Sequence, residues 1–401
     1  MSATPNRHRV LIVGGGTAGI TVAARLRRKG VSGVTILEPS DTHWYQPLWT
    51  LTGGGQAPLD VARRPERSVI PRGVTWIRDA AAAVDPDART VTTANGTELR
   101  YEYLVMAPGL QLDWSAVPGL TESLGRDGVS SNYSPEYAPK TWEFIRNLKS
   151  GTAVFTYPAG PIKCGGAPQK IAYLAADHWR REGRLRDIRI ILAVNEPTLF
   201  KVETYARELD KVVARYGIQT RFQSELLSID PDRRELTLAG EGAGATEKIA
   251  YDLLHATPPQ SAPDWVKKSV LADPAGPFGY VEADKHTLAH PRYPNVYALG
   301  DVANLPTSKT GAAIRKQAPV VVRNLMADMA GHSRTASYDG YTSCPLVTAR
   351  DKMLLAEFDY DLTPTPSLPI INTKKERRDM WYLKRYGLPA LYWHGMLKGL
   401  A

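Results

Sequence analysis

Cysteine is nearly absent: the 401 residues hold two, Cys164 and Cys344. Standing 180 residues apart, they form neither a secreted disulfide framework nor the CxxC spacing of a zinc site, and no metal is expected. No run of about 18 apolar residues occurs, so no transmembrane helix is expected and any membrane association is peripheral or monotopic. The stretch Met1 to Arg9 lacks a signal-peptide pattern and leads straight into an apolar strand. A recognisable nucleic-acid module is also missing. The net charge of +9 and pI near 9.3 therefore suit an anionic membrane surface, a small anionic substrate or a plain solvated basic surface. What is present is an ordinary globular composition, 43% hydrophobic and 23% charged, in a chain long enough for two or three domains.

The first organised feature spans residues 9 to 38: an apolar strand, a glycine turn, an amphipathic helix and a second apolar strand ending in Glu38. This is a βαβ unit with GxGxxG at Gly14, Gly16 and Gly19. Gly14 permits the tight turn, Gly16 lets a pyrophosphate approach the backbone, and Gly19 lets helix and strand pack closely. The free N–H groups at the helix start attract phosphate, and Glu38 stands where a carboxylate accepts hydrogen bonds from ribose hydroxyls. The pattern predicts dinucleotide binding and leaves FAD and NAD open.

Two later segments bear on that choice. YPNVYALGDV (293 to 302) reads as a strand ending in Gly300 and Asp301 and resembles the second flavin motif of the disulfide-reductase-like flavoproteins. YEYLVMAPGL (101 to 110), which includes Gly109, resembles their connecting motif. Three motifs in order imply FAD. Such flavoproteins insert a second βαβ domain for a nicotinamide. Here a strand does start near Thr152 and a helix is expected at about 169 to 182. Between them stands PAGPIKCGGAPQK, where Pro158, Pro161 and Cys164 replace the open glycine turn. The architecture should persist without its nicotinamide.

The segments HWYQPLWTL (43 to 51), SNYS (131 to 134), IKCGGAPQKIAYL (162 to 174), YPNVYALGDVANLPTSKTGAA (293 to 313) and YDGYTSCPLVTARDKMLLAEFDY (338 to 360) carry a closer likeness. Through them, and through the basic and aromatic C-terminus, the chain resembles the sulfide:quinone oxidoreductases of the mitochondrial type. Many bacterial relatives have a third cysteine that this sequence lacks. That departure implies a single transferred sulfur rather than long polysulfide chains, and non-covalent FAD.

The resemblance implies that Cys164 lies over the flavin ring with Cys344 beside it. Hydrosulfide attacks the sulfur-linked pair, leaves a persulfide on Cys344 and frees Cys164, which passes two electrons into the ring. A good leaving group needs a lowered pKa at Cys164, for which Lys163 and the following helix start are candidates. Lys309, at the start of another helix, suits the charge that develops on the pyrimidine side of reduced flavin. The resemblance further sets Thr17, Gln46, Ala81, Thr310 and Gly311 against FAD. His43, His178 and Glu203 are polar groups able to relay protons, but a structural role suits each better, and no general base is assigned.

The expected fold is α/β, with two Rossmann-like dinucleotide-binding domains, the second degenerate, and a C-terminal membrane-associating helical segment. The FAD domain comprises 1–115 and 275–340, the second domain 116–274 with Cys164, and the last segment 341–401 with Cys344. Beyond a proline-rich connector (364 to 369), Lys374, Lys375, Arg377 and Arg378 precede Trp381, Tyr382, Tyr386, Tyr392 and Trp393 in two short helix candidates suited to a membrane interface. The alternative is a hairpin packed on the chain's own core or on a second copy, as in a homo-oligomer. Implied partners are sulfide, a membrane quinone (ubiquinone or menaquinone) and a small sulfur acceptor such as sulfite, glutathione or sulfide itself; no nucleic acid is expected. The implied location is the bacterial cytoplasmic membrane or the mitochondrial inner membrane. Competing functions are a type II NADH:quinone oxidoreductase, a sulfide dehydrogenase with a cytochrome partner, and a non-enzymatic flavin-bound redox-signalling protein.

Overall fold

The computed structural model describes residues 6–401 apart from 241 and 243, so most of the N-terminal stretch discussed above lies outside the described residues. Runs of Val, Ile and Leu too apolar to face water on either side, residues 10–13 and Val34–Leu37, form the middle of a first sheet whose outer strands are partly exposed. Its order is Thr75–Ile77, Val34–Leu37, Arg7–Val13, Glu98–Met106, Thr90–Thr93 and Ala81–Asp85. Val296–Ala298 returns from far along the chain to pair in parallel with Glu98–Met106, with Ala298 opposite Met106. That return brings Asp301 toward the glycine turn that follows Arg7–Val13. The strand stops at Ala298, and a single 3₁₀ turn, Gly300–Val302, follows it. The helices Thr17–Arg28 and Gly311–Met329 pack together over the sheet.

A second sheet is wholly parallel, in the order Val129–Ser130, Leu253–His255, Gly151–Tyr157, Ile188–Val194 and Gln219–Phe222. The antiparallel meander Leu226–Asp230, Glu235–Ala239 and Thr246–Ala250 follows the last of its helical crossovers. The helix expected at 169 to 182 runs over Ala167–Arg181, its first turn accommodating Pro168, whose missing N–H would have had no helical partner there. A two-stranded hairpin, Thr342–Ala349 with Lys352–Phe358, lies against this helix.

After the connector the chain forms one helical run from Arg378 to Lys398 rather than two separate helices. Pro389 cannot donate within it, and wider π turns, Leu383–Gly387 and Leu391–Gly395, flank it. No helix among the described residues is long and apolar enough to cross a membrane.

Candidate active site

Cys164 sits in the turn after Gly151–Tyr157 with φ +53°, a left-handed conformation in which its β-carbon crowds the next carbonyl at a cost of about 1–2 kcal/mol. Two hydrogen bonds hold it there. Its N–H donates to the Lys309 carbonyl at 2.8 Å, and the Ala167 N–H donates to its own carbonyl at 2.7 Å. The first bond joins the Cys164 turn to the segment that starts the helix Gly311–Met329.

Cys344 comes from the hairpin, 1% exposed. Side chains of the second sheet's helices fasten that hairpin: Tyr216 OH donates to the Thr348 carbonyl (2.9 Å), Tyr205 OH donates to the Glu357 carbonyl (3.0 Å), and the Arg350 N–H donates to the buried Asp177 carboxylate (3.0 Å). The result is a contact of 3.3 Å between the two sulfurs, both free thiols. A β-carbon on Gly166 would lie 2.2 Å from Leu346 Cδ2 and 2.7 Å from Cys344 Sγ. The hairpin thus fills the space over the start of the helix Ala167–Arg181, where a dinucleotide fold would seat a pyrophosphate.

Charge in this pocket comes from residues that sequence reasoning missed. Lys170, 3% exposed, donates to Cys164 Sγ at 3.2 Å. The Cys344 thiol and then Lys170 hold Cys164 well below the usual thiol range, against the opposing effect of burial. Cys344, facing that thiolate and buried, is held well above it. Burial works against the Lys170 ammonium, but the two sulfurs outweigh it and its pKa rises. Lys384, 2% exposed, donates to the Pro47 carbonyl at 2.9 Å, and burial together with the charge of Lys170 pushes it down to about 7. Lys163, expected to supply this field, does not: its ammonium donates to Gln46 Oε1 at 2.8 Å and faces the rings of Trp49 and Tyr133. A side chain beside the cysteine in sequence leaves the turn in the wrong direction, whereas six residues on, inside the helix, Lys170 points back.

The fingerprint glycines can be tested for the FAD that the resemblance implies. Gly14, at φ +106°, leaves 2.2 Å between a β-carbon and the Ala107 carbonyl oxygen, and Gly19 leaves 1.9 Å to the Gly14 carbonyl oxygen. Over Gly16 there is nothing within 4 Å, an open face for a phosphate. Glu38 accepts from the Gly15 N–H at 2.7 Å and the Ser40 N–H at 2.8 Å, and burial raises its pKa. Asp301 is half-buried, its pKa raised by burial against the pull of Lys309 and Lys163. Gly311 also opens onto free space, at the start of a helix whose Thr310 hydroxyl accepts from the Ala313 N–H at 3.1 Å. These features fit a dinucleotide stretched from Glu38 past Gly16 toward Asp301 and Gly311.

The other candidates scatter. The Lys309 ammonium donates to the carbonyls of Asp301 and Ala303 at 2.7 and 2.8 Å and lies 3.7 Å from the Tyr280 ring centroid, so its charge is held inside the fold. Gln46 meets Lys163, Ala81 opens an edge strand, and Gly109 lies in the loop after Met106 at φ +78°. Thr17 and His43 come together at one further point, the hydroxyl of Tyr392. His178 packs edge-on against Trp142, and Glu203 pairs with Arg207 on the surface; neither approaches the cysteines through a hydrogen bond.

The sequence profile of the family described as pyridine nucleotide-disulphide oxidoreductase matches residues 8–320. A Mus musculus protein named mitochondrial sulfide:quinone oxidoreductase is 42% identical over 396 residues, 98% of this chain and 87% of its own length. The Dictyostelium discoideum protein of the same name is 43% identical over 397 residues, with the same shares of each. Among solved structures, that of the sulfide:quinone oxidoreductase from Aquifex aeolicus matches with a TM-score of 0.83 at 19% identity, covering 98% of this chain and 92% of the other, a likeness of fold.

Proposed function

The chain belongs to the pyridine nucleotide-disulphide oxidoreductase family and, within it, to the sulfide:quinone oxidoreductases, and from this we propose how its own residues divide the reaction. It is an FAD-dependent oxidoreductase that oxidises sulfide and reduces a quinone. The observation that carries the assignment of roles is the 3.3 Å contact between Cys164 and Cys344 with Lys170 on the Cys164 sulfur.

In the oxidised enzyme the two sulfurs are linked. Hydrosulfide attacks the Cys344 sulfur, a new S–S bond forms there, the bond to Cys164 breaks, and Cys164 leaves with the electron pair. Lys170 stabilises that thiolate, which makes Cys164 the better leaving group and directs the persulfide to Cys344. Cys344 packs against Gly166 at the start of the helix Ala167–Arg181, whose positive end favours negative charge on the Cys344 persulfide. A nucleophile then takes the outer sulfur, leaving Cys344 as a thiolate, and relinking the two cysteines gives up two electrons. FAD, held by Gly14, Gly16, Gly19, Glu38, Asp301 and Gly311, would supply the two-electron acceptor between this cysteine pair and the quinone. Sulfite, glutathione and a second sulfide all have the nucleophilicity the acceptor step needs.

Residues 1–115 and 275–340 are assigned to the FAD domain, supported by the return of Val296–Ala298 to the first sheet, with 116–274 as the second domain and 341–401 as the segment that delivers Cys344. For the membrane face we favour the surface around Tyr382 and Tyr386, exposed rings 6.4 Å apart beside Arg377 and Arg378. This gives a peripheral location.

Anaerobic stopped-flow absorbance tests the roles. Sulfide should bleach the flavin of the parent, and NADH should not, because the hairpin occupies the nicotinamide turn. In Cys164→Ser the bleaching should slow by a factor on the order of 10³ or more. A Cys164→Ser protein reduced nearly as fast as the parent would show the thiols to be structural.

A further inference from the structure

The sulfur chemistry makes no use of the end of the chain, yet that end is well anchored. Beyond Leu391 the helical run turns inward, and Tyr392, Trp393, Met396 and Leu397 are buried. The turn holding Met396 and Leu397 lies on the fingerprint helix Thr17–Arg28, while Trp393 packs against His43, Tyr45 and Arg64. A β-carbon on Gly399 would be 2.9 Å from Arg25 N, and the Arg25 guanidinium donates to the Ala401 carbonyl. Tyr392 reaches further. Its hydroxyl is 3.0 Å from Thr17 Oγ1 and 2.5 Å from His43 Nε2, while His43 Nδ1 lies 3.1 Å from the Gly15 carbonyl oxygen and 3.2 Å from Glu66 Oε2. The Tyr45 ring packs on it at 4.5 Å between centroids. Glu66 Oε1, buried and without a hydrogen-bond partner among the described residues, lies 2.8 Å from the place of a Gly15 β-carbon. A residue 375 positions along the chain is therefore hydrogen-bonded at the glycine turn where a pyrophosphate would sit.

We propose that residues 391–401 form a latch on the FAD fingerprint, with Tyr392 as a positioning residue that holds Thr17 and, through His43, the Gly15 side of the turn. The inference rests on FAD as the cofactor. Its physical basis is preorganisation: a turn already held in the binding geometry loses less freedom when the dinucleotide arrives. By linkage, what the docked tail does for FAD affinity, FAD does for tail docking, by the same factor. The membrane-side residues Tyr382 and Tyr386 precede the latch on the same helical run, so the tail has an outer part for the surface and an inner part for the cofactor.

The experiment starts from the yellow holoprotein and follows FAD release on dilution by the rise of flavin fluorescence. Tyr392→Phe, a chain ending at Ala390 and the exposed control Val270→Ala are compared with the parent, and the melting of each apoprotein is measured by circular dichroism. Tyr392→Phe should release FAD about tenfold faster, as expected for the loss of a buried hydrogen-bonding hydroxyl, with apoprotein melting unchanged. The shortened chain should release it faster still, and the control should match the parent. In the parent, FAD should slow proteolysis within 391–401. Unchanged release in Tyr392→Phe, or a change that merely follows a lower apoprotein melting temperature, would overturn the latch. A parent that carries no flavin when purified would count against the cofactor reading instead.

Discussion

In the proposed reaction, Lys170 is what would make one of two chemically identical thiols the leaving group and the other the carrier of the sulfur. The contact between the two sulfurs lowers the Cys164 thiol and raises Cys344, and the Lys170 ammonium, on Cys164 and not Cys344, adds to the lowering of Cys164. Because the folded pKa of Cys164 lies below its unfolded value of about 8.5, the thiolate–ammonium pair contributes its full stability above that pH. The contribution is lost as pH falls through the lower folded value. Alkylation of the half-buried Cys164 by iodoacetamide should accordingly proceed almost as fast at pH 6.5 as at pH 8.5. In Lys170→Met the rate at pH 6.5 should fall about tenfold relative to that at pH 8.5, as the thiol moves back toward its ordinary value. Equal pH profiles for parent and variant would remove Lys170 from this role. Neither Lys170 nor Lys384 stands out in the sequence, where one is an ordinary helix residue and the other part of a basic, aromatic tail. Only their burial makes them unusual.

The strand–turn–helix element separates two kinds of glycine. Gly14 is needed by the fold, since its left-handed φ and the Ala107 carbonyl 2.2 Å from any β-carbon both exclude a side chain. Gly16 is needed by the ligand, since its φ of −70° suits any residue and the space above it is open. Gly16→Ala should therefore leave apoprotein stability within about 0.5 kcal/mol of the parent while weakening FAD binding. Gly14→Ala should lower the melting temperature of the apoprotein itself, and circular dichroism with flavin titration distinguishes the two. Both roles were legible from the spacing of the motif, because a GxGxxG turn between apolar strand and helix has few ways to pack. The tail was less legible. Its aromatic residues face both outward and inward, and a composition suited to a membrane interface equally suits a buried latch.

At the scale of the whole molecule, the +9 charge and the exposed Tyr382 and Tyr386 favour docking on an anionic bilayer. Replacing both tyrosines by serine should reduce co-sedimentation with vesicles containing anionic lipid while the bound flavin still bleaches with sulfide. Unchanged sedimentation would place the membrane contact elsewhere. The sequence by itself determined the βαβ fingerprint, the flavin motifs and the broken second turn. Each of these is a local pattern in which neighbouring residues act together. Tertiary structure alone decided that Lys170 rather than Lys163 serves Cys164, that the Lys309 ammonium turns into its own carbonyls, and that the hairpin closes the nicotinamide turn. It alone brought Tyr392 to Thr17. These contacts join residues from separate elements, and their direction depends on how helices and sheets are rotated against one another, which no local pattern specifies.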